Sequence, residues 1–159
     1  MQLSDRWASA SLPHLVTAVK SRLRQVAWRR LAPFGLSPQQ YQLLMAVAEK
    51  DARCHGDLAR CTWMDKPTAS RILRTLQDRG LIRAEADPAH GRRVLFHLQP
   101  AAEPLVQELQ DFRRYMREGM ERGFGPEEMT QIRELLGAVM ANLDRMDAEL
   151  GGPAEESEA

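Results

Sequence analysis

Residues 56–99 constrain the fold of this chain most, because the hydrophobic period changes once within them, at Gly80. Before the glycine, Leu58 and Ala59 mark a short helix at about 56–63, and a turn near Met64-Asp65-Lys66 follows. Pro67 suits the first turn of a second helix, since its missing N–H would have no intrahelical partner there. Ala69, Ile72, Leu73 and Leu76 then recur at i, i+3, i+4 and i+7, the spacing of one buried helical face. Beyond Gly80 the period is two. Ile82, Ala84 and Ala86 alternate with Arg83, Glu85 and Asp87, and Val94, Phe96 and Leu98 alternate with Leu95 and His97. The two runs are joined by Pro88-Ala89-His90-Gly91-Arg92-Arg93, a long basic tip. Helix, tight turn, amphipathic helix and basic hairpin together spell a winged helix-turn-helix.

The side chains left outside the apolar face point to nucleic acid. Thr68, Ser70, Arg71, Arg74 and Thr75 occupy the outer face of the second helix, with Lys66 at its start. Short hydroxyls and long cations are the groups that reach base edges and phosphates, and a helix N-terminus adds backbone donors for a phosphate. Arg92 and Arg93 place cations on the wing, where a minor groove can receive them. The whole chain has a formal net charge of zero, which alone argues against a polyanion. The distribution reverses that inference. Residues 53–99 hold nine Lys/Arg against five acids, and residues 144–159 hold one against six. Binding follows the field at one face rather than the total.

Helices flank the lobe. Ser11-Leu12-Pro13 opens one, in which Leu12, Leu15, Val16, Val19, Leu23, Val26 and Leu31 recur at helical spacing until Pro33 and Gly35 end it. Ser37-Pro38-Gln39-Gln40 has the form of a capping box, followed by a stripe of Tyr41, Leu44, Met45 and Ala48. After the hairpin, Leu105, Leu109, Phe112, Met116 and Met120 form one stripe. Gly125-Pro126-Glu127-Glu128 then starts a last helix, where Met129, Ile132, Leu136, Val139, Leu143 and Met146 make a coiled-coil-like seam. The expected organisation is an N-terminal dimerisation helix (1–34), the DNA-binding lobe (35–100), C-terminal dimerisation helices (101–148) and a disordered acidic tail (149–159). The fold class is mainly α with a small β-hairpin wing.

Several stretches resemble one family. Asp57-Leu58-Ala59-Arg60, Met64-Asp65-Lys66-Pro67-Thr68-Ala69-Ser70-Arg71 and Leu76-Gln77-Asp78-Arg79-Gly80-Leu81-Ile82 are similar to the multiple-antibiotic-resistance regulator (MarR) family. The starts Gly35-Leu36-Ser37-Pro38-Gln39-Gln40-Tyr41 and Gly125-Pro126-Glu127-Glu128 are similar too, so the resemblance covers most of residues 12–148. In the family's wing motif, Asp-x-Arg is followed after five residues by Leu-Thr. Here Arg92 and Leu98 match, whereas His90 replaces the aspartate that usually braces the arginine and Gln99 replaces the threonine. Asp87 is the candidate substitute for that brace. Two cysteines, Cys54 and Cys61, make no disulfide framework, so a reducing, cytoplasmic setting is expected. The resemblance implies a homodimer on a palindromic double-stranded operator. It further implies a repressor released by a small aromatic or phenolic ligand bound between the lobe and the dimer helices. Candidate ligand residues are His14, Arg22, Trp28, Tyr41 and Phe112.

Other chemistries have weaker support. Cys54 and Cys61 flank the third helix, and thiol sensing is one alternative on the same fold. Cys54, His55, Cys61, His90 and His97 offer metal donors without a compact ligand spacing, so no metal and no cofactor are expected. A protein-interaction module that has lost DNA binding is a third. Enzyme motifs are absent: there is no Gly-x-Ser-x-Gly elbow, no His-Glu-x-x-His and no phosphate-binding glycine loop. No apolar run approaches a membrane span, and the first residues lack the pattern of a secretory signal.

Overall fold

The computed structural model describes residue 7 and residues 9–49, 53–91 and 93–151. Arg92 of the expected wing and residues 152–159 of the expected tail lie outside the described residues. The elements in chain order are α1 (Leu12–Leu31), α2 (Pro38–Ala48), β1 (Arg53–Cys54), α3 (His55–Cys61), α4 (Lys66–Asp78), β2 (Ile82–Ala86), β3 (Val94–Leu98), α5 (Glu103–Glu121) and α6 (Pro126–Glu149), with short 3-10 turns at Ala32–Phe34 and Pro100–Ala102. Two compact units result, residues 1–113 and 114–159.

Local chemistry accounts for the helix starts. At α2 the Ser37 side chain accepts from the Gln40 N–H at 3.1 Å and the Gln40 side chain accepts from the Ser37 N–H at 2.8 Å, a complete capping box. Ser11 occupies the N-cap of α1 but makes no capping bond with its side chain. At α4 the cap is Asp65, whose carboxylate accepts from the Thr68 N–H at 2.8 Å. Gly80 ends the same helix in the left-handed region, at φ +68, where a Cβ is unfavourable.

The core of the first unit follows the expected stripe in α4 and in part of α5. However, α2 buries Leu43 and Val47 rather than Tyr41 and Ala48, and of the α1 stripe only Leu31 is buried. Leu43, Leu44, Val47, Leu58, Leu73 and Leu76 are buried, and Leu31, Leu109 and Phe112 close it from α1 and α5. The sheet has the order β1-β3-β2, all antiparallel. The short β1 is an addition to the two expected strands; it pairs Arg53 with Phe96 and Cys54 with Leu95. The hairpin departs from its alternation in one respect. Ile82 and Phe96 are buried, but Ala84, Ala86 and Val94 are exposed, because the hairpin runs past the edge of the core.

The second unit is the end of α5 and all of α6. No residue of α6 is buried, and Leu136, Leu143 and Met146 of its seam are half or more exposed. Within this unit Arg133 lies 3.6 Å from Glu121. No helix of the described residues is long and apolar enough to cross a membrane.

Candidate nucleic-acid interface and adjoining cleft

The amphipathicity of α4 does two things at once. Its inner face, Ala69, Ile72, Leu73 and Leu76, is locked into the core, so its outer face is held rigidly outward. Lys66, Ser70, Arg71 and Arg74 are exposed on that face, and Thr68 and Thr75 are half-buried. Thr75 turns its hydroxyl to the Arg71 carbonyl at 3.0 Å, which leaves its oxygen lone pairs as the outward-facing capacity. Backbone and side-chain hydrogen bonds from Thr68 hold the Asp65 carboxyl below its usual range. Asp65 is therefore ionised at neutral pH and fixes the amino end of α4. The cap itself was not part of the sequence expectation, although Asp-Lys-Pro-Thr carries an N-cap residue directly before a proline at N1.

The wing tip is ordered by its own backbone. Asp87 donates its N–H to the Arg93 carbonyl at 2.9 Å, and Arg93 donates to the His90 carbonyl at 2.7 Å. The Asp87 carboxylate accepts from the Ala89 N–H at 2.8 Å, an Asx-type turn. His90 meets Asp87 through the backbone, N–H to carbonyl at 3.2 Å. Arg93 reaches back from the tip, with Nη2 at 3.4 Å from the Cys54 sulfur. Of the two wing arginines it is the half-buried Arg93 that the structure describes, and part of its guanidinium is used in anchoring the wing to the start of α3. Along the hairpin, Arg83 bonds Glu85, whose carboxyl is held low by that guanidinium.

A cleft of about 400 Å³ opens between α1 and α5 in the first unit. Its walls are Arg29, Arg30, Pro33 and Phe34 at the end of α1, and Glu108, Asp111 and Phe112 on α5. Of the five candidate ligand residues, Phe112 lines the cleft and Tyr41 stands behind it, edge-on at 5.0 Å between ring centroids. Burial raises the Tyr41 phenol above its ordinary range, so it is a neutral donor there. The other three lie elsewhere on α1. His14 is 6.2 Å from the Trp7 ring, Arg22 bonds Gln25 at 3.0 Å, and Trp28 is 57% exposed. Arg29, Arg30, Glu108 and Asp111 were not singled out from sequence, where charged residues on amphipathic helices look like a solvated face.

The cysteines are both free, Cys54 half-buried and Cys61 exposed. Among the described residues no group of three or more His, Cys, Asp or Glu side chains is placed to hold a metal.

A model of the MarR family matches residues 34–93, the span from the end of α1 to the wing tip. The helix-turn-helix and the first wing strand thus resemble the MarR family. The comparison extends beyond the MarR-type lobe. A curated relative, the uncharacterized HTH-type transcriptional regulator YsmB of Bacillus subtilis, is 24% identical over 135 residues, 85% of this chain and 90% of its own. The solved structure of BpsR from Bordetella bronchiseptica, whose DNA binding is regulated by 6-hydroxynicotinic acid, is 26% identical, with a TM-score of 0.71 over 81% of this chain and 98% of that one. The MepR–DNA complex of S. aureus shares the fold, at a TM-score of 0.78 over 84% of this chain and 99% of that one, with 21% identity. The family and these relatives are transcription regulators, not enzymes. At that level the chain is similar to transcription regulators, through a MarR-type segment and a regulator relative aligned over most of its length.

Proposed function

We propose that the protein is a homodimeric repressor that grips a palindromic operator through α4 and the wing and releases it when a small aromatic acid enters the cleft. The observation that carries the reading is the outer face of α4. Its exposed Lys66, Ser70, Arg71 and Arg74 sit on a helix whose opposite face is fully buried, beside a wing with further cations. Thr68, Thr75, Arg92 and Arg93 complete the proposed contact set. In the family geometry α4 enters the major groove and the wing reaches an adjacent minor groove. Two copies related by a two-fold axis then meet half-sites about one helical turn apart.

The dimer reading is supported by the apolar residues that the chain leaves in solvent. Leu12, Val16, Val19 and Leu23 on α1, and Leu135, Leu136, Leu143 and Met146 on α6, are all exposed. Stripes of this size on separate helices ask for a partner. The effector reading is supported by the cleft. Phe34 and Phe112 offer ring contacts and Arg29 a cation for a carboxylate, while the volume suits a single-ring ligand. BpsR, with its response to 6-hydroxynicotinic acid, is a relative with an effector of that class.

The test is a titration of the purified protein onto its own upstream promoter DNA at several salt concentrations. Nanomolar-range affinity with a steep negative salt slope is expected, weakened by Arg71→Ala and by Arg92→Ala. Equal, weak binding to scrambled DNA sinks the specific-regulator reading. Adding aromatic acids, 6-hydroxynicotinate among them, should lower promoter affinity. If none does so, and none raises the melting temperature, the effector assignment fails.

A further inference from the structure

We propose that Trp63 is a DNA-backbone contact, its indole lying along the sugar–phosphate strand beside the groove that α4 enters. This assignment rests on the DNA-binding reading above and adds a residue outside the proposed contact set.

Three observations carry it. Among the described residues Trp63 is the single non-glycine residue at positive φ, +56. That left-handed conformation crowds a Cβ and leaves glycine unhindered, so a tryptophan there works against local stability. Second, the side chain is 77% exposed, and the indole therefore buries little area to offset the strain. Third, the position is tightly defined. The Trp63 N–H donates to the Arg60 carbonyl at 3.1 Å and the Met64 N–H to the Ala59 carbonyl at 3.0 Å, closing the elbow between α3 and α4. Two residues later Asp65 caps α4, and exposed Lys66 follows. The indole is thus carried at the amino end of α4, the end that a recognition helix directs at the duplex.

A strained, exposed residue at a binding element points to function rather than folding. Tryptophan supplies two things a DNA strand can take: a flat apolar face for the deoxyribose, and an Nε1–H donor for a phosphate oxygen. Neither reads sequence. Trp63 therefore sets affinity and register on the duplex, while the side chains of α4 choose the bases.

The experiment compares Trp63→Gly and Trp63→Phe with the parent full-length protein, on promoter DNA and on a mixed-sequence duplex at low ionic strength. Glycine adopts the left-handed elbow freely, so Trp63→Gly is expected to melt no lower than the parent, and weak binding is then not a folding defect. Its affinity should fall about tenfold on both duplexes by the same factor, since a charged-acceptor hydrogen bond is worth about that much. Trp63→Phe, which keeps the ring and loses the N–H donor, should fall between. A protein with Trp7 and Trp28 replaced by phenylalanine reports Trp63 alone, and its emission should change as duplex is added. If the parent binds DNA while Trp63→Gly binds both duplexes as tightly, the assignment is overturned. It is overturned equally if the loss is confined to the promoter. A parent that binds neither duplex sinks the DNA reading and this inference with it.

Discussion

Arg79 is the C-cap of α4, and its guanidinium spans to the junction before α2. Nη1 donates to the Gly35 carbonyl at 2.9 Å and Nη2 to the Phe34 carbonyl at 3.2 Å, across 44 and 45 residues of chain. The fork thus ties the far end of α4 to a residue that lines the cleft. Consider Arg79→Ala. Shielded hydrogen bonds from a charged donor contribute about 1.5–3 kcal/mol each, but Arg79 is exposed and water can replace it at both carbonyls. Taking about 0.5–1 kcal/mol per bond gives a destabilisation of about 1–2 kcal/mol. With a urea slope of about 2 kcal/mol/M, the unfolding midpoint should fall by about 0.5–1 M without a change in slope. Arg79→Lys keeps the charge but replaces the planar fork by one nitrogen, and should recover about half of the loss. Equilibrium urea unfolding followed by circular dichroism measures both. A midpoint for Arg79→Ala equal to the parent's would refute the idea that this fork holds α4 to the α1–α2 junction.

Leu76 is fully buried on the inner face of α4, and Leu76→Ala should cost about 3 kcal/mol in the same assay. The Asp65 carboxyl, held low by Thr68, stabilises the fold above the ordinary aspartate range of about 3.9, and the contribution is lost as pH falls through the lower folded value. Asp65→Asn keeps a capping oxygen without the titration, so its melting temperature should fall less steeply than the parent's below about pH 4. Tyr41 is expected to ionise above the ordinary phenol range because it is buried, and Tyr41→Phe should remove a step above that range in an alkaline absorbance titration; a titration curve unchanged there refutes the assignment. Replacing Leu136 and Leu143 together by arginine should convert the proposed dimer to monomer in sedimentation velocity; an unchanged sedimentation coefficient would place the dimer contact elsewhere.

The parts of the fold that the sequence shows plainly are those in which one element decides its own fate. The α4 helix is readable because its face, its proline and its terminal Gly80 all agree. The capping box of α2 is readable because both of its hydrogen bonds join residues three apart. Features that depend on distant residues are not readable in this way. Two residues, Arg53 and Cys54, have no period to reveal a strand, and β1 exists only because β3 lies alongside it. The elbow at Trp63 lacks the glycine or asparagine that normally announces a left-handed residue. The cleft shows the same limit. Tyr41 and Phe112 were reachable as members of apolar stripes, whereas Arg29 and Asp111 become neighbours of one space only once α1 and α5 have packed.

The strand order has a consequence for solubility. With β3 in the middle, the five-residue β2 is left at the margin of the sheet. An outer strand offers a row of backbone donors and acceptors to any other chain, and charged side chains are a common guard against such pairing. Here Arg83 and Glu85 are exposed on β2, neutralise one another, and are followed by Pro88, which cannot extend a ladder. Valine at both positions would keep the strand's shape and strip away that guard. Self-association through β2, growing with protein concentration, is the expected failure, even though no residue of α4 has changed.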